Sequence, residues 1–207
     1  MPSPLSKNLT RSRYDRNAFF YDLVEAPMEW LRLREWRNRL RERIGSGKVL
    51  EVGVGTGKNL TYYPQNAEVT AIDFSPKMLK RAQQQANKLN VQVDLLEMDV
   101  QNLDFPSRFF DTVFATFVFC SVPDPIAGLK ELHRICKPDG RLMLLEHMRP
   151  GNSILAAAFD LLNPVVVRIM GANVNRRTLS NVKAADWQIQ VAEKLASDII
   201  WWIEASP

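Results

Sequence analysis

The chain is poor in several features that would have pointed to a class at once. Its 207 residues hold two cysteines, Cys120 and Cys136, and two histidines, His133 and His147. Two cysteines make no disulfide framework, and no Cys, His, Asp or Glu set falls at metal-ligand spacing, so no metal is expected. No run of about eighteen apolar residues is present to span a bilayer. The opening Met1-Pro-Ser-Pro-Leu-Ser-Lys7 lacks the apolar core of a secretory leader, so a cytoplasmic setting is expected. There is no repeat, no low-complexity tract and no lysine-rich or aromatic–basic stretch of the kind that binds nucleic acid. A formal charge of +4 is only mildly basic, and a hydrophobic content of 46% suffices for one sizeable core. Nothing in the sequence speaks to oligomeric state.

What the chain does have is Lys48-Val-Leu-Glu-Val-Gly-Val-Gly-Thr-Gly-Lys-Asn-Leu60. Val49, Leu50 and Val52 form the short apolar run of a strand covered on both faces. Gly53, Gly55 and Gly57 follow at once, and a glycine turn feeding a helix start can cradle a nucleoside-containing cofactor. The spacing G-x-G-x-G departs from the dinucleotide pattern, because Lys58 stands where the third glycine belongs. It also departs from a phosphate loop, being one residue short with Asn59 in place of the hydroxyl residue. Glu51 lies two residues before the turn. Asp73 ends the next apolar run, about twenty residues past the first glycine, where an acid can accept ribose hydroxyl bonds; the alternative is a turn acid capping the next helix.

These residues resemble motif I of the class I S-adenosylmethionine-dependent methyltransferases. The resemblance continues through Val69-Thr-Ala-Ile-Asp73, Met98-Asp-Val100, Phe110-Asp-Thr-Val-Phe-Ala-Thr116 and Lys137-Pro-Asp-Gly-Arg-Leu-Met-Leu-Leu-Glu-His147, over about residues 45 to 150. It implies an α/β fold, a doubly wound, seven-stranded and mostly parallel Rossmann-like sheet with an antiparallel last strand. It implies S-adenosyl-L-methionine as cofactor, held by Tyr14, Glu51, Gly53, Gly55, Gly57, Asp73, Phe74, Met78, Asp99, Val100, Thr116 and Phe117. Asp99 would meet the adenine amino group, with Asp104 as the competing acid. Thr116 and Phe117, at a strand end beside the point where strand order reverses, would line the methionine end.

Tyr14-Asp-Arg-Asn-Ala-Phe-Phe-Tyr21-Asp22 resembles the entry segment of the quinone-biosynthesis methyltransferases and their phospholipid-methylating relatives, where it lies over the site. Tyr14 and Tyr21 are lid candidates, or they dock a helix on the core. His147 and Tyr21 are the catalytic candidates. His147 is placed either to take a proton from an acceptor or only to orient the lid. Phe119-Cys-Ser-Val122, Glu146-His147 and Asn175-Arg176 also look like the microsomal alkyl-thiol methyltransferases of animals.

Along the chain, residues 1–44 read as an N-terminal lid and helices, 45–150 as the cofactor-binding core, 151–180 as a substrate-side insertion and 181–207 as a terminal hairpin, all one domain. A helix over Met28–Ile44 carries an apolar stripe and many arginines. Those arginines either pair with Glu29, Glu35 and Glu42 or meet an anionic membrane. Strands are expected over 48–52, 68–72, 91–97, 110–119, 141–145, 187–191 and 199–204. Ser75 and Asp124 are expected N-caps, and Thr178 a third. Asn163-Pro164 is expected to split the apolar stretch 154–170 into two pieces. The variable parts are apolar, aromatic and basic, which suits an apolar or amphiphilic small molecule or lipid, with a phospholipid amine or quinol precursor favoured over a small thiol. The rival classes are a nucleotide-binding oxidoreductase, against which the glycine spacing speaks, and a non-catalytic methyltransferase-like subunit.

Overall fold

The computed structural model describes residues 33–196 and 198–207. Tyr14, Tyr21 and the expected start of the first helix at Met28 lie outside the described residues. In chain order the elements are α1 (Arg34–Ile44), β1 (Gly47–Val52), a 3-10 turn (Leu60–Tyr62), β2 (Ala67–Asp73), α2 (Pro76–Leu89), β3 (Asp94–Glu97) and β4 (Phe110–Thr116). They continue with α3 (Pro125–Ile135), β5 (Cys136–His147), α4 (Ser153–Met170), α5 (Thr178–Ala184), β6 (Gln188–Ala196) and β7 (Ile200–Ser206).

The described strands form one seven-stranded sheet in the order β3-β2-β1-β4-β5-β7-β6. All neighbours are parallel up to β5, and β7 runs antiparallel to both β5 and β6. Strand order reverses between β1 and β4, which opens a crevice at their carboxyl ends.

The period of two along each strand divides the core. Leu50, Val52, Val113, Ala115, Leu142, Leu144, Ile203 and Ala205 pack with Leu129, Leu132 and Ile135 of α3 and with Val182 of α5. The residues between them, Val49, Phe114, Met143 and Trp202, pack on the other face with Leu40 and Ile44 of α1 and Ala86 of α2. Both faces are covered, so the inner strands are apolar runs rather than alternating ones.

Ser75 and Asp124 cap their helices as expected: their side chains accept from Met78 N at 3.2 Å and Ala127 N at 3.0 Å. Thr178 does not cap. It is the first residue of α5 and buried, Arg177 holds the cap position, and the helix starts without a side-chain bond. β5 starts five residues early because Cys136 already pairs with Phe110; the turn Lys137–Gly140 bulges before pairing resumes at Thr112–Arg141. The expected break at Asn163-Pro164 is absent, and α4 is one helix of 18 residues with Pro164 inside it. One stripe, Ala156, Phe159, Asn163, Val166 and Val167, faces inward on both sides of the proline. Asn163 also fastens the helix, accepting from Val174 N at 3.0 Å and donating to Asn173 Oδ1 at 3.2 Å. These tertiary ties outweigh the local cost of the missing N–H.

Two arginines of α1 find partners far along the chain. Arg39 pairs with Glu193 at 2.7 Å and lies 4.7 Å from the Trp202 ring centroid. Arg43 approaches Glu204 at 3.6 Å. Arg37 is buried.

Candidate functional site

The carboxyl ends of β1, β2, β3 and β4 enclose a cavity. Its rim is the turn Gly53–Thr56 with Lys58 and Asn59, and one side is Ile72, Asp73, Phe74 and Met78. The far side is Met98–Gln101 and the wall nearest β4 is Thr116–Val118 with Ser121–Pro123. Arg37 of α1 reaches the same space.

The turn is fixed to β2 by its own backbone. Gly53 N and Val54 N both donate to Ile72 O, at 2.8 and 3.0 Å. Gly55 N donates to Asp73 Oδ2 and Ser75 N to Asp73 Oδ1, both at 2.9 Å. Asp73 therefore shapes the rim from which it faces the cavity. The glycines do different things. Gly55 has φ +56°, and a Cβ built there meets nothing within 4 Å, so the space in front of it is open. A Cβ on Gly53 would strike the Val118 side chain. One on Gly57 would come within 2.6 Å of Leu60 Cδ1 and 3.2 Å of the Ala82 Cα. Gly57 therefore serves the close packing of the turn on α2, and it is not part of the cavity wall.

Asp99 is oriented by its neighbour. Its Oδ1 accepts from Gln101 N at 2.9 Å, and Gln101 Nε2 lies 2.9 and 3.2 Å from the two carboxylate oxygens. Gln101 Oε1 in turn accepts from Asp124 N at 3.1 Å, which couples this loop to the start of α3. Asp104 is exposed and away from the wall.

Glu51 is a correction to the sequence reading. It is 0% exposed and does not line the cavity. It follows Val49 in the strand alternation and so points to the α1 face, where Asn59 Nδ2 donates to it at 2.6 Å and Tyr63 OH donates to its other oxygen. Burial raises its carboxyl to about 7 against the pull of those bonds and of Arg37. Asn59 carries this anchor to the cavity: its Nδ2 also reaches Thr116 Oγ1 at 3.0 Å. Asn59 is 3% exposed and lines the cavity, and its Oδ1 is a buried acceptor without a partner among the described residues.

Phe117 sits at φ +57°, a conformation that bulky residues rarely take. Its N donates to Leu145 O at 2.8 Å. Beyond it, Val118 N and Phe119 N both donate to Glu146 Oε1, at 2.8 and 3.0 Å. Glu146 is 0% exposed, and burial raises its carboxyl to about 7 although these N–H bonds oppose the shift. A buried carboxylate at the end of β5 thus bends the end of β4 into the cavity wall.

His147 lies behind the wall rather than in it. It ends β5 on the α1 face, with its ring 6.3 Å from that of Phe117, and it is not part of the cavity wall. Burial lowers its pKa, which favours neutral imidazole. Of the residues read from sequence, the structure brings Gly53, Gly55, Asp73, Phe74, Met78, Asp99, Val100, Thr116 and Phe117 around one cavity. Glu51, Gly57 and His147 stand outside it, and Tyr14 and Tyr21 lie beyond the described residues. The sequence reading missed Arg37, Lys58, Asn59, Gln101 and Ser121. Asn59 could have been found, since it lies six residues past the first glycine in the segment that must turn back under the rim. Arg37 was hidden among arginines of the same helix.

The donor set fits a cofactor with a nucleoside, a cation and an amino-acid end. There are two carboxylates spaced along the rim, apolar walls between them, open space before Gly55, and the unpartnered Asn59 Oδ1. No cluster able to hold a metal ion occurs among the described residues.

A family described as a methyltransferase domain matches residues 50–144. Among curated proteins, the chain is 41% identical over 113 residues to a phosphatidylethanolamine N-methyltransferase of Cereibacter sphaeroides, covering 54% of this chain and 56% of that one. It is 32% identical over 161 residues to a demethylmenaquinone methyltransferase of Deinococcus radiodurans, covering 75% and 67%. To that of Thermus thermophilus it is 30% identical, covering 75% and 73%. The alignments thus span from about half to three quarters of these relatives' length. A Thermotoga maritima structure titled as a possible histamine N-methyltransferase superposes with a TM-score of 0.71 at 18% identity, covering 95% of this chain and 99% of that one. An Aquifex aeolicus S-adenosylmethionine-dependent methyltransferase gives 0.60 at 19%, covering 82% and 88%.

Proposed function

Because the chain belongs to the S-adenosylmethionine-dependent methyltransferases, we propose that it moves the cofactor's methyl group to an amphiphilic small molecule, a phospholipid amine or a quinol precursor. The enzyme class and cofactor follow from the family; the acceptor is our reading. When bound, the cofactor supplies a sulfonium-activated methyl group, so no covalent enzyme intermediate is needed.

The residues divide the work of binding. Asp73 would hold the ribose hydroxyls, and Asp99, set by Gln101, the adenine amino group. Phe74, Met78, Met98, Val100 and Val122 supply apolar wall for the purine. Asn59 Oδ1 would accept from the ammonium of the methionine end, and Arg37, which lines the same cavity, would face its carboxylate. Thr116, Phe117 and Val118 would exclude water where the acceptor meets the methyl, and alignment with water excluded is the protein's main contribution to such a displacement.

The observation that carries the acceptor reading is the 41% identity to a phosphatidylethanolamine N-methyltransferase, supported by the apolar α4, which Asn163 ties through Asn173 to Cys120. A second reading, a small-thiol acceptor, is favoured by a separate observation. The three segments that resemble the thiol methyltransferases come together: Asn173 N donates to Cys120 O at 2.7 Å, Arg176 donates to Val122 O at 2.6 Å, and Glu146 holds Val118 and Phe119.

Transfer of labelled methyl to a total lipid extract and, in parallel, to simple alkyl thiols, with products resolved by mass, separates the readings. A labelled lipid amine or quinone is expected. Label in thiols alone would replace this reading with the second one.

A further inference from the structure

Large apolar side chains exposed among the described residues are concentrated on one helix. On α4, Ile154, Leu161, Leu162, Val165 and Ile169 are 82, 80, 55, 55 and 61% exposed. Their spacing puts them on the face opposite the buried stripe, so α4 is apolar on both sides. An outward face of this size marks a surface built to meet something.

The charge around it says what. From His147 to Ala185 the sequence holds five basic residues, Arg149, Arg168, Arg176, Arg177 and Lys183, against one acid, Asp160. That surplus of four equals the formal charge of the whole chain, so the rest of the chain is balanced. The one acid is already engaged: Arg149 pairs with it at 2.6 Å and Asn175 donates to it at 3.0 Å. Arg168, Arg177 and Lys183 are exposed. An apolar helix face with Arg168 exposed on the same helix, and with Arg177 and Lys183 exposed on the segment that follows, fits the boundary between the acyl chains and the headgroups of an anionic bilayer. No described helix is long and apolar enough to cross a membrane, so contact would be from one side.

The helix is also wired to the cavity. Asn163 binds Asn173 and Val174, Asn173 donates twice to Cys120 O, at 2.7 and 3.1 Å, and Ser121 beside it lines the cavity.

We propose that the outer face of α4 docks the protein on an anionic membrane surface, with its acceptor wall turned toward the lipid. The placement of the acceptor rests on the reading above, but the docking itself does not. The docking helix is a different element from α1, whose Arg37 faces Glu51 and whose Arg39 pairs with Glu193.

The test is co-sedimentation of the full chain, without cofactor, with vesicles of phosphatidylglycerol and phosphatidylcholine or of phosphatidylcholine alone. At low salt the wild type is expected on the anionic vesicles and about tenfold or more weaker on the neutral ones. The double variant Leu161→Glu, Val165→Glu should lose anionic-vesicle binding by about tenfold or more. Its affinity for S-adenosylhomocysteine and its thermal transition should stay unchanged. Arg168→Ala and Arg177→Ala should each weaken binding about fivefold. Absence of wild-type binding, or equal binding by the double variant, overturns the proposal. So does a wild-type dimer in light scattering that the double variant dissolves, since the face would then meet a second copy. A chain that docks on vesicles but methylates only soluble thiols would sink the lipid-acceptor reading and leave the docking standing.

Discussion

On the β1–β2 side of the cavity the polar wall is held by bonds that span no more than 18 residues: Gly55 and Ser75 to Asp73, and Gln101 to Asp99. On the β4–β5 side the ties span long stretches of chain, from Val118 and Phe119 to Glu146 and from Asn173 to Cys120. Each side has a buried glutamate at its root. Glu51 has a donor on each oxygen, while Glu146 Oε2 is buried with none among the described residues. The first side is a fixed cradle that local sequence can specify. The second depends on where distant segments arrive.

The largest effect should come from Gly57→Val on the cradle side. Positive φ and contact with Leu60 and Ala82 should cost about 3 kcal/mol, which lowers Tm by about 6–12 °C in a thermal melt. Asp73→Ala should weaken S-adenosylhomocysteine binding by about 1–3 kcal/mol in calorimetry, and it should also loosen the rim, because Gly55 N and Ser75 N lose their acceptor. His147→Ala sharpens the contrast. It should leave cofactor affinity unchanged and lower turnover by less than about tenfold, whereas loss of an essential base costs about a hundredfold or more. A hundredfold loss in steady-state turnover would put His147 into the chemistry.

A further effect concerns pH. Both glutamates have folded pKa values near 7, above the usual 4.5, so between about pH 4.5 and 7 the folded chain holds protons that the unfolded chain has released. Their contribution is complete below that window and is lost as pH rises through it. Glu51→Gln and Glu146→Gln should each flatten the fall of Tm with pH across this range. A wild-type slope retained in both would remove these groups from the pH dependence.

The cradle side was legible because its signals are local: the strand–glycine–helix spacing, Asp73 at a strand end, and serine and aspartate followed by proline at helix starts. The orientation of Glu51 was legible too, through its parity with Val49, but motif position alone suggested the cavity. The other side was less so. Pro164 reads as a break, and only the ties of Asn163 to a distant loop show why α4 continues. Phe117 gives no local hint of positive φ, because Glu146 and Leu145 impose it from another strand. Arg37 differs from its neighbours only in which face of α1 it occupies.

The most direct test is calorimetric titration of S-adenosylhomocysteine into the wild type and Gly55→Val. On our proposal the cofactor occupies the open space before Gly55, so the wild type should bind one equivalent and the variant none. The variant's far-UV circular dichroism should match the wild type's. Undiminished affinity in a folded Gly55→Val would show that the ligand lies elsewhere and that this cavity is not the cofactor site.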